Sequence, residues 1–536
     1  MGTKMTDILL SNFNNLFRLE GDLNSHCQAI AKNRNEIDKL SESNKVCLRD
    51  QIKNFLANEH NLKQQLSLSI FQLSIYASYF HDEQIDYYIH KIFNKISGLE
   101  NKNAFIYNLV TIGFRKNIPL DKPLAKIFNS FVMELKDEYS DLRLKYDVNQ
   151  NKNTILLVSS QILSANHSPT QLLLELYTAL RELGFEVLVA QIQSLSTHDE
   201  LPFIEPFKGR YIDTPEGLRI WNFDGREVPI YNFAASHFKK STLEDFLEIL
   251  EKIQPGFMIN VGGYNGVQEF IASQIPSLIY TTSSMLVPSP FSSLVSVFEK
   301  LSSTQIMALE DAQIDPNKYK KMVSKAVQQD SLMGRELTDR SEFGYKDEDI
   351  LLAIVSNRLD WEIGFDEIEF INKTLKTNSR IKFLLVGRCE DELVTKIAQM
   401  CGPRAEFLEP ITEIKTFLSM IDFLVNTKRL GGGGAAATAI GHGTPVFSIN
   451  YGDVSSILPS EYLADNYTEL LGLIIDHLEL DKATRQQIAY SIFDQFPKFK
   501  DNVQKLIRAL EWKHNKDRIN VANQKSQSLI NRPLPG

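Results

Sequence analysis

IDFLVNTKRLGGGGAAATAIGHGTPVFSINYGDV, residues 421–454, is the stretch on which the fold turns. Phe423 to Asn426 reads as a short buried strand, Gly431 to Gly434 as a loop of four consecutive glycines, Ala435 to Ile440 as a small-residue helix, and Pro445 to Ile449 as a second buried strand. The apolar runs are too short to stand as helices, and Gly443, Thr444 and Pro445 mark where the helix stops. Glycines without a Cβ let a ligand press against the main chain, and a helix start offers unpaired N–H groups and a positive dipole end. A phosphate or diphosphate fits such a unit. The plainer alternative is a tight strand-to-helix turn that needs positive φ, but one glycine would serve that need, and here there are four.

Working outward, 536 residues exceed what one core supports, so two to four domains are expected. Apolar and charged contents of 43% and 23% are those of an ordinary water-soluble chain, and the net charge of -9 argues against nucleic acid as the main partner. Cys27, Cys47, Cys389 and Cys401 show neither a CxxC spacing nor a histidine at zinc-ligand distance, so no metal site and a reducing, cytoplasmic setting are expected. No stretch reads as an export signal or a transmembrane segment.

From Thr6 to Leu144 apolar residues recur at three- and four-residue steps with almost no glycine, which predicts an all-helical domain. His81 and His90 there are read as packing or solvated groups. The domain carries no evident chemistry, and docking a protein partner or a second copy is its expected use. After the polar break DVNQNKN (147–153) the pattern changes. NTILLVSSQI, QLLLELYTALRELG and FEVLVAQIQ form a strand, helix, strand unit, and the alternation continues through PIYNF, STLEDFLEILEKI, PGFMINVGG, VQEFIASQI and PSLIYTTSS. TQIMALE followed by NKYKKMVSKAVQQ reads as a last strand-to-helix step. Ligand-facing loops lie at strand carboxyl ends, which selects SANHSPT with His167, then GGYNG and TTSSM; His237 is a weaker candidate of the same kind. A charged link, 334–349, leads to a second α/β domain that ends in the glycine unit and closes with helices. The expected boundaries are 1–148, 149–340, 341–513, and a loose tail 514–536.

Two successive doubly wound, Rossmann-like domains, the second carrying a glycine loop, resemble the GT-B architecture of nucleotide-sugar glycosyltransferases. The phrases that carry the resemblance are SANHSPTQLLLELYTALRELGFEVLVA for the acceptor domain, then LLAIVSNRLDWEIGFDEIEFINKTLK, FLLVGR, AEFLEPITEIKTFLSMIDFLVN and GGGGAAATAIGHGTPVFS for the donor domain, in family order. The resemblance implies transfer of a hexose-type sugar from a nucleotide diphosphate, a UDP-sugar first, to a glycan or glycoprotein acceptor, with the donor as substrate and no separate cofactor. It places Asn357 and Arg358 at the phosphates; Trp361 and Glu362 stand where the family has a lysine, and Lys428 is the candidate replacement cation. Gly432, Gly433, Gly434 and Ala435 would offer N–H groups to the diphosphate, Pro410, Ile411 and Thr412 would contact the base, and His167 would act as general base or bond the donor sugar.

One departure bears on mechanism. Retaining relatives carry two glutamates eight residues apart at positions held here by Leu430 and Thr438, so ribose recognition shifts, with Asp453 as its candidate. The loss also fits a non-catalytic subunit that binds acceptor protein and supports a partner enzyme. The plan of a helical domain ahead of two such domains resembles bacterial cytosolic protein glycosyltransferases that modify adhesins.

Overall fold

A computed structural model describes residues 2–80, 82–146, 151, 153–163, 167–192, 201–206, 217–223, 225–233, 240–322, 340–411 and 414–513. His81, His237, Thr412, residues 334–339 of the charged link and the tail 514–536 lie outside them.

Among the described residues, nine helices from Gly2–Arg18 to Asp121–Glu138 form the first part of the chain, as the apolar periodicity predicts. Their apolar faces meet in a core that includes Phe71, Phe93, Phe105, Phe128 and Phe131. That core runs without interruption into Val158, Met258, Phe270 and Ile279, so the helices lie directly on the α/β unit that follows. Gly266 permits a close approach: a Cβ there would stand 2.5 Å from the Phe131 ring.

The first α/β unit is built on β1 (Thr154–Ser159), β2 (Glu186–Ile192), β3 (Gly217–Phe223), β4 (Arg226–Phe233), β5 (Phe257–Val261), β6 (Ser277–Tyr280), β7 (Leu294–Val297) and β8 (Tyr319–Lys321). Their order is β3-β4-β2-β1-β5-β6-β7-β8, parallel except for the β3–β4 hairpin. The second unit holds β9 (Ile350–Val355), β10 (Ile381–Val386), β11 (Ala405–Leu408), β12 (Phe423–Asn426), β13 (Val446–Ile449) and β14 (Leu463–Ala464), all parallel in the order β11-β10-β9-β12-β13-β14. Strands buried on both faces explain the unbroken apolar runs, such as ILLAIV and IKFLLV.

One expectation is corrected. TQIMALE is not a strand: Ser303–Asp311 is a helix and the strand comes after it, at Tyr319–Lys321. Ser302 decides the matter through a reciprocal cap, its Oγ accepting from Gln305 N–H at 3.2 Å while Gln305 Oε1 accepts from Ser302 N–H at 3.1 Å. Ala308 and Leu309 are then buried while Met307 points out. The hairpin strand β3 was not anticipated.

After the second unit the chain crosses back. A helix over 499–513 packs Phe499, Val503, Leu506, Ile507 and Leu510 into the core of the first sheet, beside Ile155, Val189 and Tyr280. No helix among the described residues is long and apolar enough to cross a membrane.

Candidate functional site

Each sheet reverses direction once, and at such a point two neighbouring strands send their loops to opposite sides and leave a crevice at their carboxyl ends. In the second sheet the reversal falls between β9 and β12. The β9 end delivers Ser356, Asn357 and Arg358; the β12 end delivers Thr427, Lys428, Arg429 and the glycine loop. Topology alone therefore brings Arg358 and the glycines together.

A buried carboxylate organises them. Glu362 Oε1 lies 2.9 Å from Arg358 Nη2 and its Oε2 lies 2.6 Å from Arg429 Nη1, while Arg429 Nε donates to Asn426 Oδ1 at 2.6 Å. Burial works against the charge of Glu362, but the guanidiniums of Arg429 and Arg358 outweigh it and hold the carboxyl below its ordinary value. The glycines fit around this network. A Cβ on Gly431 would stand 2.7 Å from Arg358 Nη2, and one on Gly432, whose φ is +103°, would stand 2.5 Å from Asn426 Oδ1. One on Gly433 would stand 3.0 Å from Asp453 Cβ. The first three glycines are thus covered by the chain's own side chains. Gly434 is different: it is exposed, and its missing Cβ faces Ser168 Oγ across the gap at 3.1 Å.

Ser168 belongs to the first α/β unit, whose reversal falls between β1 and β5. Asn265 Nδ2 donates to Ser160 Oγ at 2.8 Å across that point. The helix Ser168–Glu182 starts there with His167 as its N-cap, and the helix Gly433–Gly441 starts opposite with Gly432 as its N-cap. Two helix N-termini therefore face one another across the cleft, each with N–H groups that the helix cannot satisfy. His167 Nδ1 lies 2.9 Å from Thr170 Oγ1, which also accepts from Leu163 N–H at 3.1 Å. Burial pushes the His167 imidazole down to about 4, so it is neutral at physiological pH.

Asp453 does not stand free in the cleft. Its Oδ1 accepts from Ser284 N–H, in TTSSM of the first unit, at 2.6 Å, and burial pushes its carboxyl up to about 6. It joins the two α/β units. Lys428 is exposed, with its carbonyl accepting from Asn117 Nδ2 at 3.1 Å and its Nζ 5.8 Å from the Tyr451 ring centroid. Asn357 is exposed beside the loop, and Ala435 packs its methyl against the second sheet's core. Pro410 and Ile411 follow edge strand β11, two strands from β9.

The helical part reaches the same place. Phe114, near the end of the helix Leu99–Lys116, lies under the Arg358 guanidinium with 4.4 Å from the guanidinium carbon to the ring centroid. Arg115 stacks over Trp361 at 3.9 Å. These contacts, with the roles of Arg429 and Glu362, are what sequence reading passed over, whereas Ser284 lies in the selected loop TTSSM. Glu362 had a signal, standing one helical turn after Arg358, and Arg429 directly follows the chosen lysine. Phe114 had none, because its partner is more than two hundred positions away.

Two facing doubly wound units with helix termini converging on the cleft between them define the GT-B fold of nucleotide-sugar glycosyltransferases. Among solved structures, an O-GlcNAc transferase mutant from Thermobaculum terrenum matches over 96% of this chain and 98% of its own, with a TM-score of 0.54 at 11% identity. That coverage takes in the helical part. A glycosyltransferase from Rickettsia africae matches over 68% of this chain and 99% of its own, with a TM-score of 0.50 at 12% identity. Neither a family model nor a curated protein sequence matches the chain.

Proposed function

We propose that the protein is a glycosyltransferase that moves a hexose-type sugar from a nucleotide diphosphate donor, a UDP-sugar, to a glycan or glycoprotein acceptor. The observation that carries this reading is the approach of Ser168 to Gly434, which sets two helix N-termini and the Arg358 guanidinium around one gap. A diphosphate is the ligand that such a gap suits, because it spreads negative charge over several oxygens that planar guanidinium and main-chain N–H donors can meet. Charge on the departing diphosphate is then met by Arg358, Lys428 and the N–H groups of Gly433, Gly434 and Ala435 rather than by a metal ion. A donor preset for developing charge is worth about 3 kcal/mol of barrier.

His167 takes the part of a neutral hydrogen-bond partner. A group at about 4 is nearly three units below the pH of the cytoplasm and makes a weak general base, whereas a neutral ring at the mouth of the acceptor unit can hold a sugar hydroxyl or a phosphate oxygen. The reading includes no cofactor beyond the donor and a cytoplasmic setting, the latter in keeping with the four free cysteines. Titration calorimetry of the intact protein with UDP and UDP-sugars tests the reading: micromolar binding is expected, together with its loss in Arg358→Ala combined with Lys428→Ala. Absence of binding by the unaltered chain, or full affinity in the double variant, would end it.

One observation favours a second reading. The Asp453 carboxylate is engaged by Ser284 N–H, and Leu430 and Thr438 stand where relatives carry glutamates, so the loop presents no free carboxylate to a ribose among the described residues. A non-catalytic subunit that binds acceptor protein for a partner enzyme would have this character. Sugar transfer or donor hydrolysis by the pure chain rejects that alternative.

A further inference from the structure

Arg358 is held on three sides. Its Nη2 pairs with Glu362 Oε1 at 2.9 Å, its guanidinium carbon sits over the Phe114 ring at 4.4 Å from the centroid, and the main chain at Gly431 passes so close that a Cβ would stand 2.7 Å from Nη2 and 3.9 Å from Phe114 Cζ. Stacking uses the face of a guanidinium and leaves its in-plane N–H groups free to bond. Glu362 occupies one part of that plane. Glu362 is the one ion-pair partner of Arg358 among the described residues, and the arginine side chain keeps 26% of its exposure.

Phe114 does not belong to either α/β unit. It comes from the helical part, and its neighbours show that the contact is fixed rather than grazing. Arg115 stacks on Trp361 at 3.9 Å, Asn117 Nδ2 donates to the Lys428 carbonyl at 3.1 Å, and a Cβ on Gly113 would touch Met285 Cε at 3.4 Å. Over five residues this corner meets both loops of the second sheet's crevice and the TTSSM loop of the first. Trp361 fills the place where a lysine is expected, and the structure gives it a partner from the helical part.

We propose that the helical part completes the donor site, with Phe114 as a positioning residue that holds the Arg358 guanidinium in the plane needed to bond the donor diphosphate. The inference rests on the nucleotide diphosphate reading above and adds to it a use for the helical part that does not involve the acceptor. An unsupported arginine side chain loses rotamer freedom when it binds, so fixing it beforehand favours affinity.

The test is calorimetry of UDP with the full chain in five forms: unaltered, Phe114→Leu, Phe114→Tyr, Arg358→Ala, and Phe114→Leu with Arg358→Ala. Leucine keeps apolar bulk and fold but has no ring face. Phe114→Leu is expected to weaken UDP about tenfold without lowering the melting temperature, and Phe114→Tyr to restore it. In the double variant the losses should not multiply, since without the guanidinium the ring has nothing to position. Unchanged affinity in Phe114→Leu, or multiplying losses, overturns the proposal while leaving the donor reading intact. Failure of the unaltered chain to bind UDP overturns both.

Discussion

A carboxylate as enclosed as that of Asp453 works against the fold at neutral pH. Its carboxyl is pushed from 3.8 up to about 6, so between those values the folded chain holds a proton that the unfolded chain has already released, and above them it carries a charge in a buried place. The sign follows: stability from this group falls as pH rises above about 4, and the loss is complete above about 6, at up to about 3 kcal/mol. Asparagine keeps an oxygen for Ser284 N–H and carries no charge. Asp453→Asn is therefore expected to raise the melting temperature at pH 7.5 and to leave it unchanged at pH 4; a lower melting temperature at pH 7.5 would contradict the argument. Glu362 is the opposite case. Two guanidiniums neutralise it, and it was overlooked in the sequence because its value lies in what it touches, not in where it stands.

At the scale of the element, the glycine loop shows what a sequence discloses and what it withholds. The strands on either side are legible because short apolar runs between polar turns admit few other structures, and β12 falls on Phe423–Asn426 as read. The run of four glycines also pointed to the crevice. What it could not disclose is the division of labour within it, since that depends on Arg358, Arg429 and Asp453 arriving from other loops. Of the four, Gly434 is the one whose missing Cβ faces the gap, and it sits within the first turn of its helix. Gly434→Ala should leave the melting temperature equal or slightly higher, because alanine favours a helix over glycine by about 0.8–1 kcal/mol, yet should weaken UDP binding by narrowing the gap to Ser168. Gly432→Ala should do harm on both counts, since its φ of +103° resists any side chain and its Cβ would displace Asn426 or Arg429. Equal melting temperatures for the two variants would count against this distinction. The misread TQIMALE teaches a related point. Gln305, Met307, Ala308, Leu309 and Glu310 all favour a helix, and Ser302 stands three residues before Gln305 as a cap, so both composition and spacing carried the signal.

The whole molecule is tied together more closely than a string of separate domains. The helices share a core with the first sheet, Asp453 and Ser284 join the two α/β units, and the helix 499–513 returns from the second unit to close the first. Leu506 is buried in a core whose strand residues run from Ile155 to Leu294, some two hundred positions before it. Leu506→Asp should cost the first unit at least about 4 kcal/mol, through loss of burial and an unpaired buried charge, and soluble yield and thermal unfolding would show it. A tolerant Leu506 would mean that the returning helix adds little. Its order along the chain has a further outcome for biosynthesis. At about 5–20 residues per second, the ribosome needs on the order of ten to forty seconds to pass the two hundred or so positions between Leu294 and Phe499. Throughout that interval the helix Ser168–Glu182 covers only part of one apolar face of the nascent first sheet, and the rest stays open to water until Val503, Leu506 and Leu510 have been translated.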